Sequence, residues 1–206
     1  MHGEEKTIGV SDVCTIDFCY IHFLGFHGGK CKSLHGHSSR VSVEVTGIPD
    51  ERGMVIDFGI VKKALKDSVN EWLDHKLIVS EKYTRVEGDA VEIRYTTSAG
   101  GLLLRLPKSE VTILGSEPLA EELADLIAKD VLERLPDRVT SVKVTMTEGL
   151  DNFAVGEATR TLRCSRRRGN QFLYQCQRCG TQFWGSIYRP LTHLYCERCW
   201  TELCRR

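Results

Sequence analysis

The amino-acid sequence predicts an α+β domain over residues 1–163, followed by a basic linker and a small metal-binding module over residues 164–206. Apolar and polar residues alternate along 14–22, 35–45 and 140–148, and this period of two indicates strands with one buried face. Between these segments, apolar residues recur at the spacing of two amphipathic helices. Near the C-terminus, four of the nine cysteines form two Cys-x-x-Cys pairs, which in an intracellular chain favours metal binding over disulfides.

The first two predicted strands each carry histidine on a core-facing position. His22 ends the first strand on the parity of its apolar residues, and His35 and His37 begin the second strand on the parity of its valines. Provided that no bulge shifts the register, all three side chains project from the core faces of the strands. Asp57 can then cap a first helix, which we expect to end near Asp74.

The second half of the domain repeats these signals in the opposite order. Residues 91–97 and 101–106 indicate a hairpin, and Val111 to Leu114 indicate a further short strand. Ser116-Glu117-Pro118 is expected to start a second helix, and a strand at 153–162 ends the domain. The order β-β-α, hairpin, α-β-β favours two helices on one face of an antiparallel sheet.

Bulk composition excludes a membrane-spanning protein. Charged residues make up 27% of the chain and hydrophobic residues 41%, as in ordinary soluble domains. No apolar run approaches the ~18 residues that span a bilayer. Residues 1–10 lack the basic start and apolar centre of a signal peptide, so we expect a cytoplasmic protein without membrane partners.

Charge is unevenly distributed although the net charge is zero. Residues 160–206 contain ten arginines and only two acidic residues, Glu197 and Glu202. Such a basic tail can bind an anionic partner such as nucleic acid, or it can dock on the acidic remainder of its own chain. The sequence leaves both interpretations open.

Three core-facing histidines together indicate a metal site. A single buried histidine is usually a hydrogen-bonded core residue, but burying three unpaired imidazoles costs several kcal/mol. Neutral imidazole is a favoured zinc ligand, and three histidines leave one coordination position open for chemistry. On the residues alone, a metal ion shared by His22, His35 and His37 stands beside the plainer interpretation of hydrogen-bonded core histidines. His27 is a competing candidate, although its glycine-rich loop favours a solvated position.

Three further features carry candidate chemistry, each with a plainer alternative. Cys31 lies between two lysines, whose positive potential favours a reactive thiolate, but cysteine is often an inert core residue. Glu148 ends an apolar-parity run and needs a partner, either the amidine-like edge of a flat ligand or a nearby basic side chain. Asp74-His75 is either an ordinary exposed helix end or an oriented acid–base pair.

The C-terminal cysteines form a strong zinc-ribbon pattern. Two Cys-x-x-Cys pairs are separated by sixteen residues, and their four members are Cys176, Cys179, Cys196 and Cys199. Four thiolates close a tetrahedral shell, so the predicted zinc is structural. A module of about 35 residues buries too little core to fold alone, and zinc binding supplies the folding free energy.

These motifs together resemble the 6-pyruvoyltetrahydropterin synthase superfamily over about residues 10–163. The resemblance rests on Phe18-x-x-x-His22, Cys31-x3-His35-Gly36-His37, Gly53-Met54-Val55-Ile56-Asp57-Phe58, Leu73-Asp74-His75 and Glu148. The three-residue gap before His35 is most similar to the 6-carboxytetrahydropterin synthase branch of that superfamily.

The resemblance implies the tunnelling fold, in which ββααββ subunits form rings, commonly hexamers, with active sites between subunits. It implies the following site residues: His22, His35 and His37 for a catalytic zinc, Cys31 with Asp74 and His75 for proton transfer, and Glu148 for the pterin. With the ribbon, this amounts to one catalytic and one structural Zn²⁺ per chain.

The implied reaction is a zinc-dependent lyase reaction of 7-deazaguanine (queuosine and archaeosine) biosynthesis. It converts 7,8-dihydroneopterin triphosphate into 6-carboxy-5,6,7,8-tetrahydropterin and acetaldehyde. Two alternatives use the same substrate and form 6-pyruvoyltetrahydropterin or 6-hydroxymethyldihydropterin. An alternative of another class is a non-catalytic nucleic-acid- or partner-binding protein that uses the Arg-rich ribbon.

The sequence departs from the family pattern in two places. The usual Pro/Ser-Thr-x-Glu-Asn motif that opens the second helix is replaced by residues 118–122, which retain only Glu121 as an expected substrate contact. Residues 80–115 exceed the usual connection by about twenty residues and are expected to form an inserted hairpin. Candidates for triphosphate contacts are Lys30, Lys32 and Arg40.

Overall fold

The computed structural model describes residues 5–10, 16–97, 100–160, 166–168, 171–175 and 182–186. Ten strands precede residue 160: β1 Lys6–Val10, β2 Ile16–His22, β3 His35–Gly47, β4 Lys76–Ser80, β5 Thr84–Glu87, β6 Ala90–Thr97, β7 Gly100–Pro107, β8 Val111–Leu114, β9 Val139–Glu148 and β10 Asn152–Thr159. The helices are α1 Phe58–Trp72 and α2 Ala120–Arg134. Three further strands follow: β11 Arg166–Arg168, β12 Gln171–Gln175 and β13 Gln182–Ser186.

Seven strands form one mixed sheet. Its order is β10-β9-β3-β2-β4-β8, and β1 pairs with β3. The pairs from β10 to β2 are antiparallel, whereas β2–β4 and β4–β8 are parallel. The expected fully antiparallel sheet is therefore wrong at this edge, because α1 acts as a crossover that returns the chain alongside β2 in the same direction.

Both helices contribute to one core on one face of the sheet, as the sequence predicts. Val43 of β3, Leu65 of α1 and Ile127 of α2 are almost fully buried members of the same cluster. A side chain at Gly156 would overlap the α2 backbone at Ala124, so glycine lets the helix lie directly on β10. This packing leaves the other face of the sheet free of helices within the described residues.

The two helices begin differently. The Asp57 carboxylate accepts a hydrogen bond of 2.6 Å from the Gly59 N–H, which confirms the predicted cap of α1. The second helix begins at Ala120 rather than at Ser116. The Leu119 N–H donates a hydrogen bond of 2.8 Å to the Glu117 carbonyl, which closes a tight turn at Pro118, and the Pro118 carbonyl contacts the ring of a histidine on β2.

A smaller antiparallel sheet joins β5, β6 and β7. The strands expected at 91–97 and 101–106 pair within it as β6 and β7. Its buried residues, among them Val91 and Ile93, form a second core with Phe23, which directly follows β2. This smaller sheet therefore packs beside the end of β2.

The C-terminal strands β11, β12 and β13 form a separate antiparallel sheet. The four predicted zinc ligands, Cys176, Cys179, Cys196 and Cys199, lie outside the described residues. Within the described part of the chain, no helix is both long and apolar enough to cross a bilayer.

Candidate metal centre and its surroundings

The three predicted histidines converge at the end of the β2–β3 pair. His22 lies opposite His35 in the antiparallel register, and Tyr20 lies opposite His37. The Nε2 atoms of His22 and His35 are 3.2 Å apart. One ring nitrogen from each of the three histidines falls within 4.8 Å of the others, so the trio can hold one metal ion.

The outer nitrogens of two rings fix the tautomers. The Nδ1 atom of His22 lies 2.8 Å from the Pro118 carbonyl oxygen, and that of His35 lies 2.7 Å from the Ser33 carbonyl oxygen. A carbonyl oxygen can only accept, so each Nδ1 carries the proton and donates. Both Nε2 lone pairs therefore face inward, as in metal-binding histidines held by backbone carbonyls.

The inner nitrogens need a cation between them. Two lone pairs at 3.2 Å repel each other unless a proton or metal ion lies between them. The Nε2 atom of His37 is buried and makes no hydrogen bond with any described residue. A buried polar atom without a partner is costly, and a shared metal ion would satisfy all three nitrogens at once. The residues present therefore fit a metal ion.

Burial favours the neutral form of two of these rings, those of His22 and His37. It lowers the pKa of His22 from 6.5 to about 4, because the desolvated imidazolium is disfavoured. It also lowers the pKa of His37, although the nearby Glu148 carboxylate opposes this shift. Neutral imidazole is the form that coordinates metal, so the site is prepared for binding without an added deprotonation.

Glu148 borders the histidine cluster. Its Oε1 atom accepts a hydrogen bond of 3.1 Å from the Tyr20 hydroxyl and lies 3.4 Å from Nε2 of His37 and 3.7 Å from Nε2 of His22. Burial and the neighbouring carboxylate raise the pKa of Tyr20, so this hydroxyl remains a donor. The partner of Glu148 is thus a tyrosine beside two histidines rather than a basic side chain.

Cys31 lies in the loop that links the two metal-binding strands. The loop leaves β2 at His22 and enters β3 at His35, and Cys31 occupies a 3₁₀ turn within it. Its carbonyl oxygen accepts a hydrogen bond of 2.8 Å from the Leu24 N–H, which closes the loop. The thiol is free and half-buried. This position is accessible, unlike that of an inert core cysteine.

Asp74 and His75 form an oriented pair at the turn after α1. Nδ1 of His75 lies 2.8 Å from Oδ1 of Asp74, which also accepts a hydrogen bond of 3.1 Å from the Cys19 N–H. The backbone N–H of His75 donates to the Cys19 carbonyl over 2.7 Å. His75 has a positive φ of 58°, an uncommon conformation for a residue other than glycine. The His75 ring itself is mostly exposed.

This pair lies at the face of the sheet opposite the metal cluster. Asp74 and His75 line a cavity of about 470 Å³ with Cys19, Ser38 and Arg40. Cys19 and Ser38 alternate with the inward-facing residues of β2 and β3, so they point away from the histidine cluster. The predicted acid–base pair thus lies on the opposite face from the metal cluster, while His75 and His37 both line a second cavity of about 400 Å³.

The remaining sequence candidates lie at the surface. Glu121 is exposed in the first turn of α2. Arg40 forms an ion pair of 3.1 Å with Asp17 on the cavity face, so it points away from the metal cluster. Lys30 and Lys32 flank Cys31 in the 3₁₀ turn, which belongs to the loop between β2 and β3.

The fold and the site define a mixed α+β protein with a candidate three-histidine metal centre open on one side. The family model described as 6-pyruvoyl tetrahydropterin synthase matches residues 13–158. The chain belongs to this family of pterin-processing enzymes, and the family expected from the sequence motifs is confirmed.

Relatives and solved structures agree with this assignment. A Pyrococcus abyssi protein named for 6-carboxy-5,6,7,8-tetrahydropterin synthase is 38% identical over 151 residues, which cover 72% of this chain and 89% of that protein. The Rickettsia bellii 6-carboxy-5,6,7,8-tetrahydropterin synthase is 30% identical, covering 65% and 93% respectively. The crystal structure of Plasmodium vivax 6-pyruvoyl tetrahydropterin synthase shares the fold, with a TM-score of 0.63 at 22% identity over 76% of this chain and 99% of that chain.

Proposed function

We propose that the protein converts 7,8-dihydroneopterin triphosphate into 6-carboxy-5,6,7,8-tetrahydropterin, with release of triphosphate and acetaldehyde, as a cytoplasmic step of 7-deazaguanine biosynthesis. The observation that carries this proposal is the convergence of one ring nitrogen from each of three histidines, of which His22 and His35 have their Nδ1 atoms bonded to backbone carbonyls. The names of the Pyrococcus and Rickettsia relatives support the choice of product.

His22, His35 and His37 would hold a catalytic zinc. When bound, zinc would supply Lewis-acid chemistry: it lowers the pKa of substrate hydroxyls and polarises a developing carbonyl. The chain contributes the carbonyl-fixed tautomers of His22 and His35 and the burial that lowers the pKa of His22 and His37. A second, structural zinc would be held by the C-terminal cysteines Cys176, Cys179, Cys196 and Cys199.

Cys31 would remove a proton from the substrate side chain as a thiolate. His75 would then move protons at its Nε2 atom, while Asp74 holds the opposite ring nitrogen. Because Asp74 and His75 face away from the metal cluster of their own chain, we infer that they serve the site of a neighbouring subunit. A homo-oligomeric ring such as a hexamer would bring the two half-sites together.

Glu148 would recognise the pterin. Its carboxylate can accept two donors from the guanidine-like edge of the ring system, in the manner of a bidentate Arg–carboxylate pair. The Tyr20 hydroxyl holds one carboxylate oxygen and thereby limits the orientations of the group. Glu121 at the start of α2 would contact the same substrate from outside the metal cluster.

Mass-spectrometric identification of the product tests this proposal. The zinc-loaded chain is incubated with 7,8-dihydroneopterin triphosphate, and Cys31→Ala serves as the matched protein without the thiol. We expect 6-carboxy-5,6,7,8-tetrahydropterin and acetaldehyde from the wild type and neither from the variant. A 6-pyruvoyl or 6-hydroxymethyl product, or equal turnover by Cys31→Ala, would contradict it.

A further inference from the structure

The segment after β4 contacts the surroundings of His22 from two sides. On the first side, the Tyr83 ring packs on Phe23, the residue after His22, with ring centroids 5.1 Å apart. A side chain at Gly25 would overlap the Tyr83 hydroxyl, so the glycine permits this close approach. Tyr83 therefore packs against Phe23 and Gly25, which follow the strand that carries His22.

On the second side, Lys82 and Tyr83 of the same segment contact the Glu117 side chain. The Tyr83 hydroxyl donates a hydrogen bond of 3.2 Å to Glu117 Oε1, and the Lys82 ammonium forms an ion pair with the same oxygen. The Glu117 side chain is only 14% exposed. Glu117 directly precedes Pro118, whose carbonyl oxygen accepts the hydrogen bond from Nδ1 of His22.

We propose that Glu117 is a positioning residue for His22, and that Tyr83 and Lys82 from the connection between β4 and β5 hold it in place. The Glu117 side chain anchors the turn that precedes α2, the anchored turn aims the Pro118 carbonyl, and the carbonyl fixes the ring and tautomer of His22. The connection thereby adjusts how tightly the histidine trio retains its metal ion. This inference rests on the metal-binding role proposed above.

Hydrogen bonds behind metal ligands commonly change metal affinity by about 10- to 100-fold when they are removed. Glu117 acts one step further from the ligand, so we expect about a 10-fold loss of affinity. Tyr83→Phe removes one of two donors to Glu117 and is expected to have the smaller effect of the two variants.

The test measures zinc affinity of the full-length chain by competition with a chromogenic chelator. The variants are Glu117→Gln and Tyr83→Phe, and the matched control is Arg94→Gln, which breaks an ion pair with Glu92 elsewhere in the smaller sheet. His35→Ala identifies the zinc ion that belongs to the trio. We expect weaker binding of that ion in the two variants and wild-type affinity in the control.

A spectroscopic measurement separates positioning from a general loss of stability. Long-range ¹H–¹⁵N spectra of the metal-free chain report the tautomer of His22. We expect the Nδ1–H tautomer in the wild type and in Arg94→Gln, and a mixture in Glu117→Gln. If Glu117→Gln does not fold, zinc affinity and the His22 tautomer are both measured on Tyr83→Phe, which lacks only one oxygen atom.

Two outcomes would overturn the inference, and they are distinguishable. If His35→Ala loses one zinc ion while Glu117→Gln and Tyr83→Phe match the control, the metal centre stands and the positioning role fails. If His35→Ala retains the full wild-type zinc content, the metal centre itself fails, and the role of Glu117 fails with it.

Discussion

The Tyr20 hydroxyl donates a hydrogen bond of 3.1 Å to Glu148 Oε1 beside the three-histidine cluster. Tyr20 lies two residues before His22 on β2 and therefore on the same face, and its side chain is almost fully buried. The tyrosine thus links the carboxylate proposed for pterin recognition to the strand that carries a metal ligand.

Tyr20→Phe tests this link. A hydrogen bond to a charged group is worth about 1.5–3 kcal/mol, and about 1.4 kcal/mol corresponds to a tenfold change. We expect kcat/KM for 7,8-dihydroneopterin triphosphate to fall about tenfold, mainly through a higher KM, with zinc content unchanged. Tyr95→Phe, which removes a hydroxyl from the second core, is the control. An unchanged KM in Tyr20→Phe would show that the hydroxyl does not position Glu148 for the substrate.

We expect one variant to lose both a zinc ion and turnover, and a second variant to lose turnover alone. His35→Ala removes one of three ligands and is expected to lose one zinc ion per chain together with turnover. Cys31→Ala is expected to keep the zinc content of the wild type and to lose turnover. Elemental analysis and steady-state kinetics on the same preparations check both. Loss of zinc in Cys31→Ala would instead make the thiol a metal ligand.

Subunit complementation tests whether Asp74 and His75 act across an interface. Cys31→Ala and His75→Gln are each expected to be inactive alone. If each site takes Cys31 from one subunit and His75 from another, a co-expressed equal mixture regains about one quarter of the sites. Activity assays of the purified hybrid oligomer measure this recovery. No recovery in a hybrid shown to contain both variants would place both residues in one chain's site.

The buried His22 makes the metal-free protein sensitive to acid. Its pKa in the folded chain is about 4, below the ordinary 6.5. A depressed histidine pKa means that folding favours the neutral ring, so its contribution is complete above about pH 6.5 and is lost as the pH falls towards 4. The shift corresponds to about 3 kcal/mol.

Urea unfolding of metal-free protein at several pH values between 7 and 4 measures this contribution. The free energy of unfolding should fall more steeply with decreasing pH in the wild type than in His22→Gln, which cannot titrate at this position. Equal slopes for the two proteins would contradict the assigned pKa shift.

The sequence predicted the convergence of the three histidines, because strand periodicity determines which way a side chain points. His22, His35 and His37 share the buried parity of β2 and β3, and the register contains no bulge between them. The Asp57 cap was predictable for a similar reason, since the capping carboxylate acts within two residues of itself. Local rules were sufficient in both cases.

Features that depend on the path of the chain were not predictable in this way. The parallel direction of β4 follows from the crossover by α1, and the position of Asp74-His75 depends on a turn in which His75 adopts positive φ. Neither the direction of β4 nor the position of this turn is encoded in a periodic pattern of apolar residues. The Tyr20 partner of Glu148 could have been found, because Tyr20 and His22 share parity and a buried hydroxyl needs an acceptor.

The late start of α2 has a similar origin. Ser116-Glu117-Pro118 has the composition of a helix start, but the Pro118 carbonyl is engaged by His22 and the Glu117 side chain by Tyr83 and Lys82. The Leu119 N–H also bonds to the Glu117 carbonyl in a tight turn at Pro118, and the helix starts only at Ala120. Local signals therefore predicted the helix but placed its beginning too early.

Anomalous diffraction at the zinc edge, from crystals of the zinc-loaded protein, tests the central claim most directly. The account predicts one anomalous peak bonded to the Nε2 atoms of His22, His35 and His37, with a fourth position open towards Glu148 and Cys31. Rings that stay in the positions described here without any anomalous peak between them would contradict it.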